Sequence, residues 1–429
     1  MRPALPADLS PVHSPPAYFL GLIAAVMCVH GIDRMGFSIV LDSVKHAMSL
    51  TDTQLGLLAG PAFALLNAGA AIPLARLADR HGRTRVLSAC VMIWSLCTAI
   101  SGLTTSFAGL AAARACVGFA DSAASPVSQS LIAGRYKAAQ LAGALSIFGA
   151  GSYLGTVLGF AVAGTVTQHF GWRAAMIWMG VPGLILAALV WLTLEERQEG
   201  AAPPATAEAG KRAWLGEWIP IVRQPVFLDA TMTVASASIL GWAVIAWMPS
   251  FFQRRYGMGP EEIGFWLAGA MGVGAAVGAL AGGAAANLWY SRFPRAGLWL
   301  SFWATLASAP LLTMAFVLDN KAACLACVMA STVTGAICMG PVYAAVQGLA
   351  DRRTRATVAA AFGVASTLLG QALGPLLVGV TSDFSARHYG GDSLRRSLEI
   401  VSLLGFWPAI HLYRLARRHT VPDGEPLTA

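Results

Sequence analysis

Five ionisable residues, His30, Asp33, Arg34, Arg114 and Asp121, stand inside runs of apolar sequence. A charge held in a bilayer costs about 3 kcal/mol on insertion scales, so such residues mark a pathway or a partner. His30 precedes Asp33 by three positions and Arg34 by four, which groups them on one face of a helix. Asp121 follows Arg114 by seven, which returns it to the same face about 10 Å along the axis. A carboxyl group holds its proton more tightly when buried and less tightly beside a guanidinium. An Arg passed from a carboxylate to an anionic solute therefore makes proton uptake accompany binding. That chemistry points to Asp33, Asp121 and His30 for proton coupling and to Arg34 and Arg114 for substrate binding. The simpler reading, an ion pair that only pins two helices, needs fewer groups than these. His30 taken alone reads as a cavity histidine as readily as a proton shuttle.

The elements that must position these residues follow from composition. Of 429 residues, 56% are hydrophobic and 12% charged, enough for roughly twelve bilayer spans of about 20 residues. Disorder, collagen and a water-soluble enzyme are excluded. The apolar runs predict spans at 17–41, 53–77, 86–104, 107–133, 140–165, 173–194, 226–250, 261–288, 297–317, 322–349, 356–382 and 397–416. Asp33 and Arg34 then lie roughly 12 Å below the outer end of the first span, and Arg114 lies at nearly the same depth in the fourth. With both termini cytoplasmic, nineteen of the 29 Lys and Arg residues fall on the inner side and eight on the outer. The positive-inside rule favours that orientation, and it accounts for the net charge of +8 without nucleic acid. The first 16 residues hold five prolines and no apolar core, so no cleavable signal peptide is expected. The seven cysteines all sit in apolar stretches and read as small core residues rather than a disulfide framework.

The rhythm of spans breaks once, at 195–225, a stretch rich in charge, Ala, Pro and Gly. It predicts an N-terminal six-helix bundle over 1–194, a cytoplasmic linker over 195–225 and a C-terminal six-helix bundle over 226–429. Within the linker, 214–222 reads equally as an amphipathic surface helix and as a packed connector. Small residues recur every fourth position at Gly151, Gly155 and Gly159, and again at Gly370 and Gly374, as closely packed membrane helices require. Two similar halves around a central cavity is a transporter plan.

The turn after the second span reads Ala75-x-x-x-Asp79-Arg80-x-Gly82-Arg83-x-Arg85. It resembles the signature loop of the major facilitator superfamily, and the resemblance implies an all-α membrane protein of twelve transmembrane helices in two pseudo-symmetric bundles. It also implies a gating role for Asp79, and more loosely for Arg80 and Arg83, in which the Asp reaches the opposite bundle and holds the outward-facing state. Four arginines in this segment would serve equally as a topogenic anchor. The His30-Gly-Ile-Asp33-Arg34 run, the Arg114 to Asp121 run, Trp247-Met-Pro249 and the glycines around Gln371 are similar to the spinster-like branch. That resemblance implies proton binding at Asp33, substrate contact or charge relay at Arg34 and Arg114, and coupling at Asp121, which stands where Glu is usual. Gln371 stands where an acid often appears. In the second half, Trp247 and Gln371 are candidate substrate contacts.

The sequence thus predicts a proton-coupled secondary carrier for an anionic or amphipathic solute, lysolipid-like or sphingolipid-like. Its expected partners are that small-molecule or lipid substrate, protons and membrane lipids, with no cofactor and no nucleic acid. A monomer in a bacterial inner membrane is expected. The alternative is a carrier of small organic anions or drugs; the proline usual after the fifth-span glycine of drug antiporters is replaced by Thr156. A receptor without transport ranks lower. A membrane enzyme ranks lowest, since the eight His are scattered and no nucleophile, metal or phosphate-loop constellation is present.

Overall fold

The computed structural model describes residues 16–194, 224–290, 296–338, 341–342 and 355–418, and every regular element among them is helical. All but the last two residues of the predicted linker lie outside the described residues, as do 343–349 of the tenth span. The first half holds α1 (Pro16–Met48), α2 (Asp52–Ala59), α3 (Pro61–His81), α4 (Arg83–Ser101), α5 (Phe107–Asp121), α6 (Ala124–Arg135) and α7 (Ala138–Thr193). After the linker come α8 (Pro225–Tyr256), α9 (Pro260–Leu267), a π-helical turn (Ala268–Gly274), α10 (Ala275–Tyr290), α11 (Ala296–Val317) and α12 (Lys321–Ala336). The chain closes with α13 (Arg355–Tyr389), α14 (Ser393–Ser402) and α15 (Phe406–Arg418). Seven helical segments among the described residues are long and apolar enough to cross a membrane.

Where the structure departs from unbroken spans, backbone chemistry gives the reason. The second span divides at Gly60, because Pro61 opens α3 and disfavours helical backbone in the residue before it. The fourth divides after Asp121: Pro126 has no N–H to donate to Ser122, and its ring crowds that carbonyl. The fifth and sixth run together as α7, with a single non-helical residue, Gly171 at φ 82°, turning the chain between them. The α3–α4 turn likewise rests on Gly82 at φ 102°.

The predicted small-residue faces are contact faces. A Cβ on Gly155 would run into the Cys28 carbonyl of α1, and one on Gly374 into the Ile239 carbonyl of α8. The cysteines are all free. Cys90, Cys324 and Cys338 are buried, whereas Cys116 is exposed and is not a core residue.

The core is asymmetric along the molecule. At the end carrying the 49–51 turn, both halves share one apolar cluster, with Leu41, Val44 and Leu55 beside Trp247, Phe251 and Val378. Toward the chain termini the clusters separate. One is built from the first half alone, around Phe19, Trp94 and Val190, and the other from the second half alone, around Phe227, Leu298 and Leu412. Among the described residues the halves are therefore sealed together at one end, and at the other their apolar clusters are separate.

Candidate functional site

A small cavity lies between the halves. The first half lines it with Arg34, Phe37, Ser38, Ala59 and Arg114, and the second with Trp242, Ile245, Ala246, Gln371 and Pro375. Its wall is thus cationic on one side and mostly apolar on the other, with Gln371 as the polar exception.

Two chains of polar contacts meet at this cavity. In the first, His30 Nδ1 lies 2.5 Å from Asp121 Oδ1, and Arg34 Nη1 lies 3.4 Å from His30 Nε2. A guanidinium can only donate, so Nε2 is the acceptor and Nδ1 carries the hydrogen facing Asp121. Asn67 donates to the other Asp121 oxygen at 3.2 Å and to the Gly118 carbonyl at 3.1 Å. Arg34 Nη2 then crosses to the second half, donating to Gln371 Oε1 at 2.6 Å. The run Asp121, His30, Arg34, Gln371 joins α5, α1 and α13.

In the second chain, Thr98 of α4 donates to Asp33 Oδ1, and Arg114 Nη1 lies 3.5 Å from Asp33 Oδ2. Asp33 and Arg114 are each 4% exposed. Apart from that ion pair, Arg114 Nε and Nη1 make no hydrogen bond among the described residues, nor does Arg34 Nε. Buried donors of this kind are normally satisfied, so each guanidinium has capacity to accept a further anionic partner. Aromatic faces hold the two cations instead. Arg114 lies 4.1 Å over Phe37, Arg34 lies 4.8 Å over Trp242, and both lie over Phe63, at 5.3 and 5.0 Å. Such contacts are worth about 2 kcal/mol when desolvated.

The other sequence candidates lie elsewhere. Trp247 is completely buried and donates through Nε1 to the Pro375 carbonyl at 2.9 Å, so it joins α8 to α13 and does not line the cavity. Asp79 and Arg80 are exposed at the α3–α4 turn, where Arg83 Nη2 lies 3.1 Å from Asp79 Oδ1. Sequence reading missed Thr98, Asn67, Phe37 and Phe63. Thr98 and Asn67 gave a signal as hydrogen-bonding side chains within apolar runs; the aromatics looked like any core or lipid-facing ring.

Comparison with known proteins decides the family. Residues 23–375 match the family model described as Major Facilitator Superfamily. The chain belongs to the Major Facilitator Superfamily. Membership makes it a multi-pass integral membrane protein and a transporter rather than an enzyme. It is similar to an MFS-type efflux pump of Mycolicibacterium smegmatis, 29% identical over 402 residues and 92% of both chains. A hexuronate transporter of Bacillus subtilis is 23% identical, over 88% of this chain and 90% of that one. Protein spinster of Drosophila melanogaster is 24% identical over 90% of this chain, which spans 65% of the spinster protein. Among solved structures, a bacterial homologue of the human lysosomal transporter Spinster, inward-facing and unoccupied, superposes with a TM-score of 0.85. It shares 24% identity, covering 94% of this chain and 98% of that one. The superfamily fold and the spinster likeness read from the Asp79 loop and from the His30–Arg34 run are thus both found.

Proposed function

We propose that this transporter is a secondary carrier that works by alternating access, is coupled to protons, and moves an organic anion with an apolar tail. The observation that carries this reading is the pair of guanidinium groups, buried Arg114 and half-buried Arg34, lining one cavity with donors unused, Arg114 against Asp33 and Arg34 linked through His30 to Asp121. An entering anion takes up the free Arg114 donors and draws the group from Asp33. Asp33 then keeps Thr98 as its donor among the described residues and is the group that takes the coupled proton. His30 and Asp121 form the second proton-binding unit, tied to the substrate wall through Arg34.

Phe37, Trp242, Ile245, Ala246 and Pro375 offer an apolar wall for a hydrocarbon tail, and the spinster likeness supports a lysolipid-like or sphingolipid-like solute. A second reading is a small organic anion, supported by the hexuronate transporter and by a probable L-galactonate transporter of Escherichia coli, 24% identical over 59% of this chain. Thermal-shift titration separates the two: stabilisation by lysophosphatidylglycerol and not by D-glucuronate selects the first, and the reverse selects the second.

The remaining assignments belong to the same proposal. The bundles are divided at 195–225, the termini are cytoplasmic in a bacterial inner membrane, and the carrier is a monomer. In that orientation the sealed end is the outer one, and the arrangement is inward-facing. Asp79, with Arg80 and Arg83, acts in the opposite state.

A further inference from the structure

At the sealed end, Arg254 of α8 reaches from the second half between two carboxylates of the first. Its Nε donates to Asp42 Oδ1 at 2.6 Å, and its Nη1 and Nη2 donate to the two oxygens of Asp52 at 2.9 and 3.0 Å. Asp42 and Asp52 are each 2% exposed. Lys45 also donates to Asp52, Ser382 of α13 donates to Asp52 Oδ2 at 2.6 Å, and the exposed His46 lies 3.3 Å from Asp42 Oδ2. A second crossing runs the other way. The Asp383 carboxylate of α13 accepts from the backbone N–H groups of Asp52 at 3.1 Å and Thr53 at 2.7 Å, so an acid of the second half caps the first turn of α2. Between these contacts the backbones touch, since a Cβ on Gly379 would run into the Asp52 carbonyl.

We infer that Arg254 and Asp383 form a two-part latch whose closure sets the balance between the sealed state of this end and its open state. The inference rests on the alternating-access reading, in which the halves must part here. The geometry makes the latch state-dependent. Asp42 and Asp52 are both on the first half and repel each other; the guanidinium of Arg254, a planar fork matching a carboxylate, is the cation that bridges the two and favours their burial together. Without it, among the described residues two carboxylates stay buried with Lys45, Ser382 and His46 to serve them. That penalty falls on the sealed state alone, because opening hydrates both acids. The α2 N-terminus keeps its own cap in either state, with Thr51 accepting from Gln54 N. The Asp383 contact is therefore additional to the fold of α2 and is free to break.

The test uses the full-length protein in nanodiscs, with the seven native cysteines replaced and spin labels at Ala47→Cys and Ala386→Cys, exposed positions on opposite halves at this end. Pulsed dipolar spectroscopy then reads the separation. Arg254→Leu should raise the ratio of long to short distance at least tenfold, and Asp383→Ala should raise it severalfold. Adding Asp42→Asn and Asp52→Asn to Arg254→Leu should restore the short distance, which a misfolded variant would not do. A long-distance population that exists in the wild type but is unchanged by Arg254→Leu overturns the latch alone. One distance in the wild type and in every variant, at pH 5.5 and 8 and with or without D-glucuronate, overturns the latch together with alternating access.

Discussion

Asp33 of α1 and Arg114 of α5 face each other at 3.5 Å in the interior of the first half, and Arg114 also borders the cavity. A carboxylate and a cation in such a site are stable as a pair and costly apart, since breaking a buried pair from one side costs about 3–5 kcal/mol. A solute anion that takes over the cation offsets that cost, and a proton on Asp33 removes what is left of it. In the proposed mechanism, binding and protonation are linked because both draw on the same guanidinium.

Replacing Arg114 by Lys tests the cation. Lysine keeps the charge but not the planar fork, nor the stacking on Phe37. Affinity for the transported anion should fall about tenfold to a hundredfold, equivalent to one or two lost charge-assisted hydrogen bonds. Isothermal titration measures it, with a melting curve showing that the protein remains folded. Unchanged affinity would leave Arg114 as a pin between helices.

The length of the solute tests the apolar wall. Each methylene buried contributes about 0.8 kcal/mol, so affinity should rise about fourfold per carbon across a series of lysophosphatidylglycerols until the tail outgrows its surroundings. Trp242→Ala should flatten that slope. A flat series in the wild type, with D-glucuronate competing fully, would establish the small-anion reading.

Much of this site was legible in the sequence, for reasons that also mark where legibility stops. Depth along a helix follows from residue count, so Asp33 was set level with Arg114. Facing follows from three-, four- and seven-residue spacings, which grouped His30 with Arg34 and Asp121 with Arg114. Rotation about the axis does not follow from counting. Trp242 and Trp247 lie five positions apart, on different faces of α8; Trp247 turns to the Pro375 carbonyl of α13, and Trp242 lies on the cavity wall. No spacing rule reaches from Asp42 or Asp52 to Arg254, some 200 positions later. The breaks at Gly60 and after Asp121 were written in Pro61 and Pro126, but an apolar run masks them.

The exposed turn at Asp79 gives a prediction of its own. If its carboxylate stabilises the state opposite to the sealed one seen here, Asp79→Asn should enrich the inward-facing population. Cysteine labelling from each side, in a background without native cysteines, should shift severalfold toward inner access. No shift would reduce the segment to a positively charged anchor.

Proton coupling through Asp33 is tested most directly in proteoliposomes carrying a trapped pH dye, with a gradient of the solute chosen by thermal shift imposed across the membrane. In the wild type the lumen pH should change as the solute moves. In Asp33→Asn, which mimics the protonated carboxyl, the pH change should vanish while exchange of labelled for unlabelled solute continues. A pH change in Asp33→Asn as large and as fast as in the wild type would contradict the assignment.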